Sequence, residues 1–172
     1  TVYVSATGAG SSDGTSEENA YGNFANALLD INSNGDKLIV IGTVTVGAAT
    51  ISGKNFAFTI EGKDATSTIT GSGGTSRLFT LNQSTTIDVT LKDLTFSNYN
   101  TTLAGGGVLF SNNAGATVTF DNCIFTGNSV TNNQGGGAIF FANGTLNIID
   151  SSFESNTSSD EGGAIFANSG TI

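Results

Sequence analysis

Apolar residues recur along the chain in short bursts, separated by polar stretches that are rich in glycine. In the second half, the apolar residues of three segments fall mainly at every second position. These segments are Val89–Phe96, Val118–Phe125 and Leu146–Phe153. That period is typical of a β-strand with one buried face. Valine, isoleucine, phenylalanine and threonine, which favour extended structure, are frequent in the bursts. The pattern predicts an all-β chain.

The three segments form a sequence repeat. Their first residues are 29 and then 28 residues apart. A single repeat of this kind cannot bury its own apolar face, so repeats must stack. We therefore predict a right-handed, single-stranded parallel β-helix, a solenoid of about 28 residues per coil. The sets of equivalent residues are Val89, Val118 and Leu146; Leu91, Phe120 and Ile148; and Phe96, Phe125 and Phe153.

Stacking of equivalent residues predicts columns of like side chains along the solenoid axis. The phenylalanine column forms an aromatic ladder inside the coil. Asn128 and Asn156 each follow their phenylalanine by three residues, so we expect an amide ladder that satisfies buried polar groups. The glycine pairs that precede Val108, Ala138 and Ala164 suit the corners where the chain must turn.

Two short motifs, GGA[ILV] and FxxN, alternate in these coils. The first is matched by Gly136, Gly137, Ala138 and Ile139, and by Gly162, Gly163, Ala164 and Ile165. The second is matched by Phe125 and Asn128, and by Phe153 and Asn156. Together they resemble the repeats of the polymorphic outer membrane proteins and of related adhesin-like proteins. The first repeat departs from the pattern, with Val108 in place of alanine and Tyr99 in place of asparagine. The resemblance implies a β-helical passenger that is displayed outside the cell and used for adhesion.

The N-terminal third lacks the repeat and predicts a cap. A strand at Thr1–Val4 is followed by a helix that begins after Ser16 and ends at Gly35. Its predicted buried face comprises Ala20, Phe24, Leu28 and Ile31. We assign residues 1–37 to the cap, 38–88 to early irregular coils and 89–172 to regular coils. Strands are predicted in the early coils at Leu38–Val46, Phe56–Gly62 and Arg77–Leu81.

The last residue, Ile172, aligns with Leu146, at the start of a further coil. We therefore expect a monomeric fragment of a longer repeat protein. The net charge of -9, from 14 carboxylates and five cations, disfavours nucleic acid and anionic membrane surfaces as partners. No segment approaches the roughly 20 apolar residues of a membrane helix. The lone Cys123 is expected to be a small buried hydrophobe.

Right-handed β-helices also host polysaccharide lyases and glycoside hydrolases, so enzyme chemistry is the first alternative. A lyase needs a base and cations, yet no Lys, Arg or His follows Lys92. A hydrolase needs two carboxylates across a groove. Asp93 and Asp150 are equivalent positions with Asn122 between them, about two rungs apart. We interpret these three residues as a polar ladder at a turn, since Asp and Asn tolerate unusual backbone angles.

The sequence offers two further candidate binding sites, and no cofactor is expected. Calcium favours loop oxygens, and two acidic groups lie in loops: Asp13, Glu17 and Glu18, and Asp160 and Glu161. Neither matches a known calcium-loop pattern, so we interpret them as solvated turns.

Threonine-rich segments such as Thr66–Thr70 suggest a flat ice-binding face. The threonines do not repeat in register along the sequence, so this interpretation is not favoured.

The leading hypothesis is a non-catalytic, extracellular, adhesin-like β-helix that attaches to a cell-surface protein or glycan on a host or neighbouring cell. The loops after each FxxN position, at Thr101–Leu103, Ser129–Gln134 and Thr157–Glu161, vary between coils and are the expected contact surface. The candidate binding residues are Ser129, Thr131, Asn132, Asn133, Gln134, Thr157, Ser158, Ser159 and Asp160. The alternatives are a fragment of a carbohydrate-active enzyme and a passive structural stalk.

Overall fold

The computed structural model describes residues 1–51, 53–73, 75–82 and 85–172. The strands, in chain order, are β1 (Val2–Ser5), β2 (Asp36–Ile41), β3 (Thr43–Thr45), β4 (Ala57–Gly62), β5 (Thr68–Thr70), β6 (Phe79–Leu81), β7 (Ile87–Lys92), β8 (Thr95–Ser97), β9 (Asn100–Thr101), β10 (Leu109–Asp121), β11 (Ile124–Thr126), β12 (Ser129–Val130), β13 (Ile139–Ile149), β14 (Ser152–Glu154), β15 (Thr157–Ser158) and β16 (Ile165–Ala167). The helical elements are a 3₁₀ turn at Glu17–Asn19 and helix α1 (Phe24–Leu29).

The strands form three parallel sheets, and the chain passes from one sheet to the next within each coil. The first sheet has the order β1-β2-β4-β7-β10-β13-β16, with β6 also beside β10. The second sheet has the order β3-β5-β8-β11-β14, and the third is β9-β12-β15. Sequential coils thus lie beside each other in every sheet, which is the architecture of a β-solenoid. This confirms the predicted parallel β-helix.

The register of the regular coils is the one that the sequence repeat predicts. Val89 pairs with Val118, and Val118 with Leu146. In the second sheet, Phe125 lies between Phe96 and Phe153. The Phe125 ring stacks on both neighbours, with centroids 5.1 Å from Phe96 and 4.5 Å from Phe153. The aromatic ladder is therefore present.

The predicted amide ladder also runs through the interior. Asn128 is fully buried, and its Nδ2 donates to Asn156 Oδ1 at 2.9 Å and to the carbonyl oxygen of Phe96 at 3.1 Å. Tyr99 stands at the equivalent place in the first regular coil, and its backbone N donates to Asn128 Oδ1 at 3.1 Å. The Tyr99 hydroxyl donates to the carbonyl oxygen of Val46 at 2.8 Å. Tyrosine thus replaces the missing asparagine without leaving its own hydroxyl unpaired.

The predicted helix of the cap is wrong in its start and length. Ser16 makes no capping hydrogen bond from its side chain, and Ala20 is extended, with φ -56° and ψ 141°. Tyr21 instead pairs with the first strand, since its backbone N donates to the carbonyl oxygen of Tyr3 at 2.9 Å. The helix begins only after Asn23, whose side chain accepts from the backbone N of Asn26. Strand pairing at Tyr21 therefore interrupts the helical pattern.

The buried face that the sequence predicts for the cap is nevertheless present. Ala20, Phe24, Leu28 and Ile31 are all buried, although they do not share one helix. Helix α1 packs against β1, the first strand of the first sheet. Its apolar side chains are continuous with the core of the coils, so the helix covers apolar residues at that end of the solenoid.

The early coils differ from the prediction chiefly in one segment. The chain turns at Gly42, so the predicted single strand at Leu38–Val46 is divided between β2 and β3, which lie in different sheets. The segment at Phe56–Gly62 forms β4, and that at Arg77–Leu81 contributes β6. Alternate residues of the long first-sheet strands point into the shared core, as they do in β2, β4 and β7.

Candidate functional site

The third sheet brings the three predicted binding loops together. Asn100 pairs with Ser129, and Ser129 with Thr157, so the loops start in register on one side of the solenoid. The first two residues of Ser129–Gln134 and of Thr157–Glu161 are strand rather than loop. Val130 is accordingly buried, and Ser129 and Ser158 are half-buried. These short strands form because each coil has its neighbours to pair with.

The exposed parts of the loops hold the remaining predicted binding residues. Those exposed are Thr131, Asn132, Asn133, Gln134, Thr157, Ser159 and Asp160. Hydrogen bonds connect one loop to the next. Asn132 Nδ2 donates to the carbonyl oxygen of Thr102 at 3.0 Å, and Ser159 Oγ donates to the carbonyl oxygen of Asn132 at 3.1 Å. The result is a continuous loop surface that spans three coils and is polar apart from the exposed side chain of Leu103.

The repeat-motif residues are placed in the body of the solenoid rather than on this loop surface. Gly136 to Ile139 are buried, and the N–H of Ala138 donates to the carbonyl oxygen of Ala164 at 2.9 Å. Gly136 has φ 81°, and a Cβ there would lie 2.0 Å from the carbonyl oxygen of Ile139. The glycine motif is thus required for the corner to close. Gly162 and Gly163 are exposed, and Ala164 and Ile165 are half-buried.

A groove of about 340 Å³ lies between the first and second sheets. Its lining combines the end of β4, the turns that follow β4, β7 and β10, and the first residues of β8 and β11. The residues are Glu61, Gly62, Lys63, Asp64, Ala65, Asp93, Leu94, Thr95, Asn122 and Ile124. Carboxylates, an amide and a cation thus face the same space as the exposed side chain of Ile124. Such a mixture suits a polar ligand with an apolar face.

The polar groups of the groove are held by local hydrogen bonds. Asp64 Oδ1 accepts from the hydroxyl of Thr66 at 2.6 Å and from its backbone N at 2.9 Å. These bonds, the hydroxyl first, lower the pKa of Asp64. The Lys63 ammonium pairs with Glu17, and this hydrogen bond raises the pKa of Lys63. Asp64 is therefore ionised at neutral pH, which is the wrong protonation state for a general acid.

Asp93, Asn122 and Asp150 occupy a turn, as the sequence predicts. Their φ angles are 53°, 52° and 46°. Asn122 Nδ2 donates to Asp93 Oδ1 at 2.6 Å. Aspartate and asparagine adopt this left-handed conformation more readily than other side chains. The recurrence of these residue types is thus accounted for by the backbone.

The carboxylates of the two candidate calcium sites either accept hydrogen bonds from nearby side chains of the chain or are exposed to solvent. Asp13 accepts from the hydroxyls of Ser11 and Thr15, and the Thr15 hydroxyl is the larger cause of its lowered pKa. Asp160 and Glu161 are exposed. Within residues 1–51, 53–73, 75–82 and 85–172, no group of three or more His, Cys, Asp or Glu side chains is placed to hold a metal ion.

Threonines of the second sheet do stack in register, so the expectation of no threonine register is wrong. Thr43 pairs with Thr68, and Thr68 with Thr95. These residues are 25 and 27 residues apart in sequence. Because these second-sheet spacings differ from the period of 28 or 29 residues in the regular coils, that period does not reveal the threonine register. The available sequence signal was the T-x-T spacing at Thr43–Thr45 and Thr68–Thr70.

The groove is a feature that the sequence does not predict. It combines an early coil of irregular length with two regular coils, and no single sequence motif spans them. The nearest signal was the D-x-T pattern from Asp64 to Thr66, which predicts a hydrogen-bonded turn but no ligand.

Comparison with known proteins returned no relative. No protein-family model matches the chain, and neither the curated proteins nor the solved structures gave a match. Among the described residues, no helix combines the length and the apolar character needed to cross a membrane.

Proposed function

We propose that the chain is an adhesin-like, non-catalytic β-solenoid that attaches to a protein or glycan at a cell surface, outside the cell. The observation that supports this most directly is the loop surface, in which variable polar loops from three coils are in register. A rigid scaffold that carries variable loops is a common arrangement in binding proteins. The motif resemblance to polymorphic outer membrane proteins favours the same role.

The chemistry of the loop surface fits a polar ligand such as a glycan. Its exposed side chains offer amide and hydroxyl groups, which both donate and accept hydrogen bonds. Hydrogen bonds between coils limit the freedom of Asn132 and Ser159 before any ligand binds. This preorganisation lowers the entropy lost on binding.

Substitutions in two of the loops test the proposal. Thr131→Arg and Thr157→Arg each place a long charged side chain on the loop surface, and Thr86→Arg places the same side chain at an exposed threonine outside it. The readout is binding of fluorescent beads that carry each variant to a panel of cells and purified polysaccharides. We expect both loop variants to bind less than the parent chain and Thr86→Arg to bind like it. Unchanged binding by both loop variants would contradict the use of these loops.

An enzyme is the second candidate, because the groove contains Glu61, Asp64 and Asp93. The hydrogen-bonded, ionised Asp64 favours ligand binding over acid catalysis at this place. The same polysaccharide panel separates the two functions. Release of shortened or unsaturated products would support the enzyme, and saturable binding without products would support the adhesin. A stalk predicts neither binding nor products.

A further inference from the structure

We propose that the outer face of the second sheet binds ice, the crystalline lattice of water. This hydroxyl face consists of the outward-pointing residues of β3, β5, β8, β11 and β14. In chain order they are Thr43, Thr45, Thr68, Thr70, Thr95, Ser97, Ile124, Thr126, Ser152 and Glu154. The face is distinct from the loop surface on the third sheet, and the inference does not depend on adhesion.

Hydroxyl side chains form two columns on this face. One column begins with Thr43, Thr68 and Thr95, which are paired across consecutive coils. The residues two positions further along each strand form the other column, which begins with Thr45 and Thr70. Eight of the ten outward positions carry a hydroxyl group, six of them on threonine. The face is thus a two-dimensional array of hydroxyl groups, interrupted at Ile124 and Glu154.

The spacing of this array is set by the sheet. Neighbouring strands lie about 4.8 Å apart, and residues two positions apart along a parallel strand lie about 6.6 Å apart. Oxygen atoms in the prism plane of hexagonal ice repeat in two perpendicular directions with spacings of similar length. A water layer on this face would repeat with the spacing of the strands, and the Thr68 and Thr70 hydroxyls, which donate to the carbonyl oxygens of Thr66 and Ser97 at 3.2 Å, would take part in it as acceptors.

The side chains of the face are also restrained before water is ordered on them. Threonine is branched at Cβ, so few rotamers are open to it in a strand. Ser97 Oγ donates to Thr70 Oγ1 at 3.0 Å, and Asn98 Nδ2 donates to the same oxygen at 3.2 Å. Little side-chain entropy is lost when the array contacts an ordered surface. The threonine methyl groups and Ile124 supply apolar area between the hydroxyls.

The charge of the face matches an uncharged partner. The chain carries a net charge of -9, yet Glu154 is the one ionisable residue among these ten positions. The outward face of the first sheet differs, since it carries the ion pairs Lys37–Glu61 and Lys92–Asp121. Charged side chains hold hydration shells that do not fit a neutral lattice. The ten positions of the second sheet are thus nearly neutral, and charge borders the face only where Thr95 and Ile124 line the groove that holds Glu61, Lys63, Asp64 and Asp93.

Ice is favoured over a crystalline polysaccharide by the absence of aromatic rings. Sugar rings stack on exposed aromatic side chains, and none of the ten positions of the hydroxyl face holds one. The exposed residues at its edge strand β3, Thr43 and Thr45, offer only hydroxyl and methyl groups. Water molecules are small enough to bind each hydroxyl of such a surface separately.

Partition of the chain between slowly grown ice and the remaining liquid tests the inference. Thr68→Tyr and Thr95→Tyr place bulky rings within the array, and Thr45→Tyr does so at an exposed position of β3, where the fold tolerates it. Thr90→Tyr is the matched control, because Thr90 is a half-buried outward threonine between Thr59 and Thr119 in the first sheet. Circular dichroism establishes that each variant is folded.

We expect the parent chain and Thr90→Tyr to be retained in the ice, and the three variants of the hydroxyl face to lose that retention. The loop variants Thr131→Arg and Thr157→Arg should be retained, which separates this inference from adhesion. Exclusion of the parent chain from ice would overturn the inference, as would an equal loss in Thr90→Tyr. Sedimentation of the parent chain with crystalline cellulose or chitin, without retention in ice, would also overturn it.

Discussion

Asn128 illustrates how single polar residues hold the interior of this solenoid together. Its side chain is fully buried, with Oδ1 accepting from the backbone N of Tyr99 and Nδ2 donating to the carbonyl oxygen of Phe96. Tyr99 lies between β8 and β9, so its buried backbone N takes the Asn128 side chain as acceptor in place of a strand partner. The asparagine of the FxxN motif is thus a structural residue, and we do not place it in a binding site.

We predict that Asn128→Leu lowers the free energy of unfolding by about 2–4 kcal/mol, since it removes the acceptor of the buried Tyr99 backbone N and the hydrogen bonds that Asn128 Nδ2 donates to Phe96 and Asn156. Urea denaturation followed by circular dichroism measures the change. Asn133→Leu is the control, because Asn133 is exposed and its substitution should change stability by less than about 0.5 kcal/mol. Equal stability of the two variants would show that the amide ladder does not stabilise the fold.

Prediction from sequence succeeded at residues whose neighbours in space are fixed by the repeat. Phe125 and Asn128 were placed correctly because the coils on either side have nearly equal length, so sequence spacing gives the register directly. The sequence shows Tyr99 in place of the asparagine, but the hydrogen-bond partner of its hydroxyl could not be predicted. Its hydroxyl finds the carbonyl oxygen of Val46, which belongs to an early coil outside the repeat.

At the scale of elements, glycine corners connect the sheets. Gly106 and Gly136 take the same place in successive coils, and the N–H of Gly106 donates to the carbonyl oxygen of Gly136 at 2.9 Å. Arg77 supplies the corresponding contact on the earlier coil. Its guanidinium donates to the carbonyl oxygens of Gly105 and Gly106 and lies over the Phe110 ring, 4.7 Å from the centroid.

We predict that Gly136→Ala destabilises the fold more than Gly35→Ala does. Both glycines have positive φ, 81° and 82°, so each variant loses about 1 kcal/mol through backbone strain. A Cβ at Gly35 meets no atom within 4 Å, whereas one at Gly136 would lie 2.0 Å from the carbonyl oxygen of Ile139. Thermal denaturation of the two variants compares them. A Gly35→Ala variant with the lower melting temperature would contradict the assigned corner.

Elements outside the regular coils were predicted less well, for physical reasons that particular residues show. The helical pattern around Ala20 and Phe24 indicates burial on one side, but a buried extended segment at Ala20 satisfies part of it. Pairing of Tyr21 with β1 favours the extended segment over a helix there. Sequence periodicity gives no information on which strands pair. The strand at Leu38–Val46 was divided for a similar reason, since the turn at Gly42 sends β3 to another sheet.

At the scale of the whole molecule, the solenoid gives each side a different chemical character. The first sheet carries ion pairs such as Lys37–Glu61, the second is almost free of charge, and the third leads into exposed polar loops. The groove lies between the first two sheets and contains Asp64 and Asp93. Sequence analysis predicted the loops because they follow each FxxN position. It missed the groove and the hydroxyl face because both depend on the lengths of the early coils.

The loop surface and the hydroxyl face allow separate tests, because variants of one leave the other intact. The loop substitutions at Thr131 and Thr157 lie on the third-sheet side, whereas Thr68 and Thr95 lie on the second sheet. Loss of cell binding should therefore follow the first pair, and loss of ice binding should follow the second. The rigid, repeating core is what makes this independence possible, since each coil contacts mainly its neighbours.

The most direct test of the proposed function is a saturation measurement with the parent chain. Fluorescent beads that carry it are titrated on a panel of cells and purified polysaccharides, with chromatography of the supernatant for released products. We predict binding that saturates on at least one surface, competes with free chain and releases no product. Linear, uncompeted binding on every surface, or release of cleaved polysaccharide, would contradict an adhesin-like function.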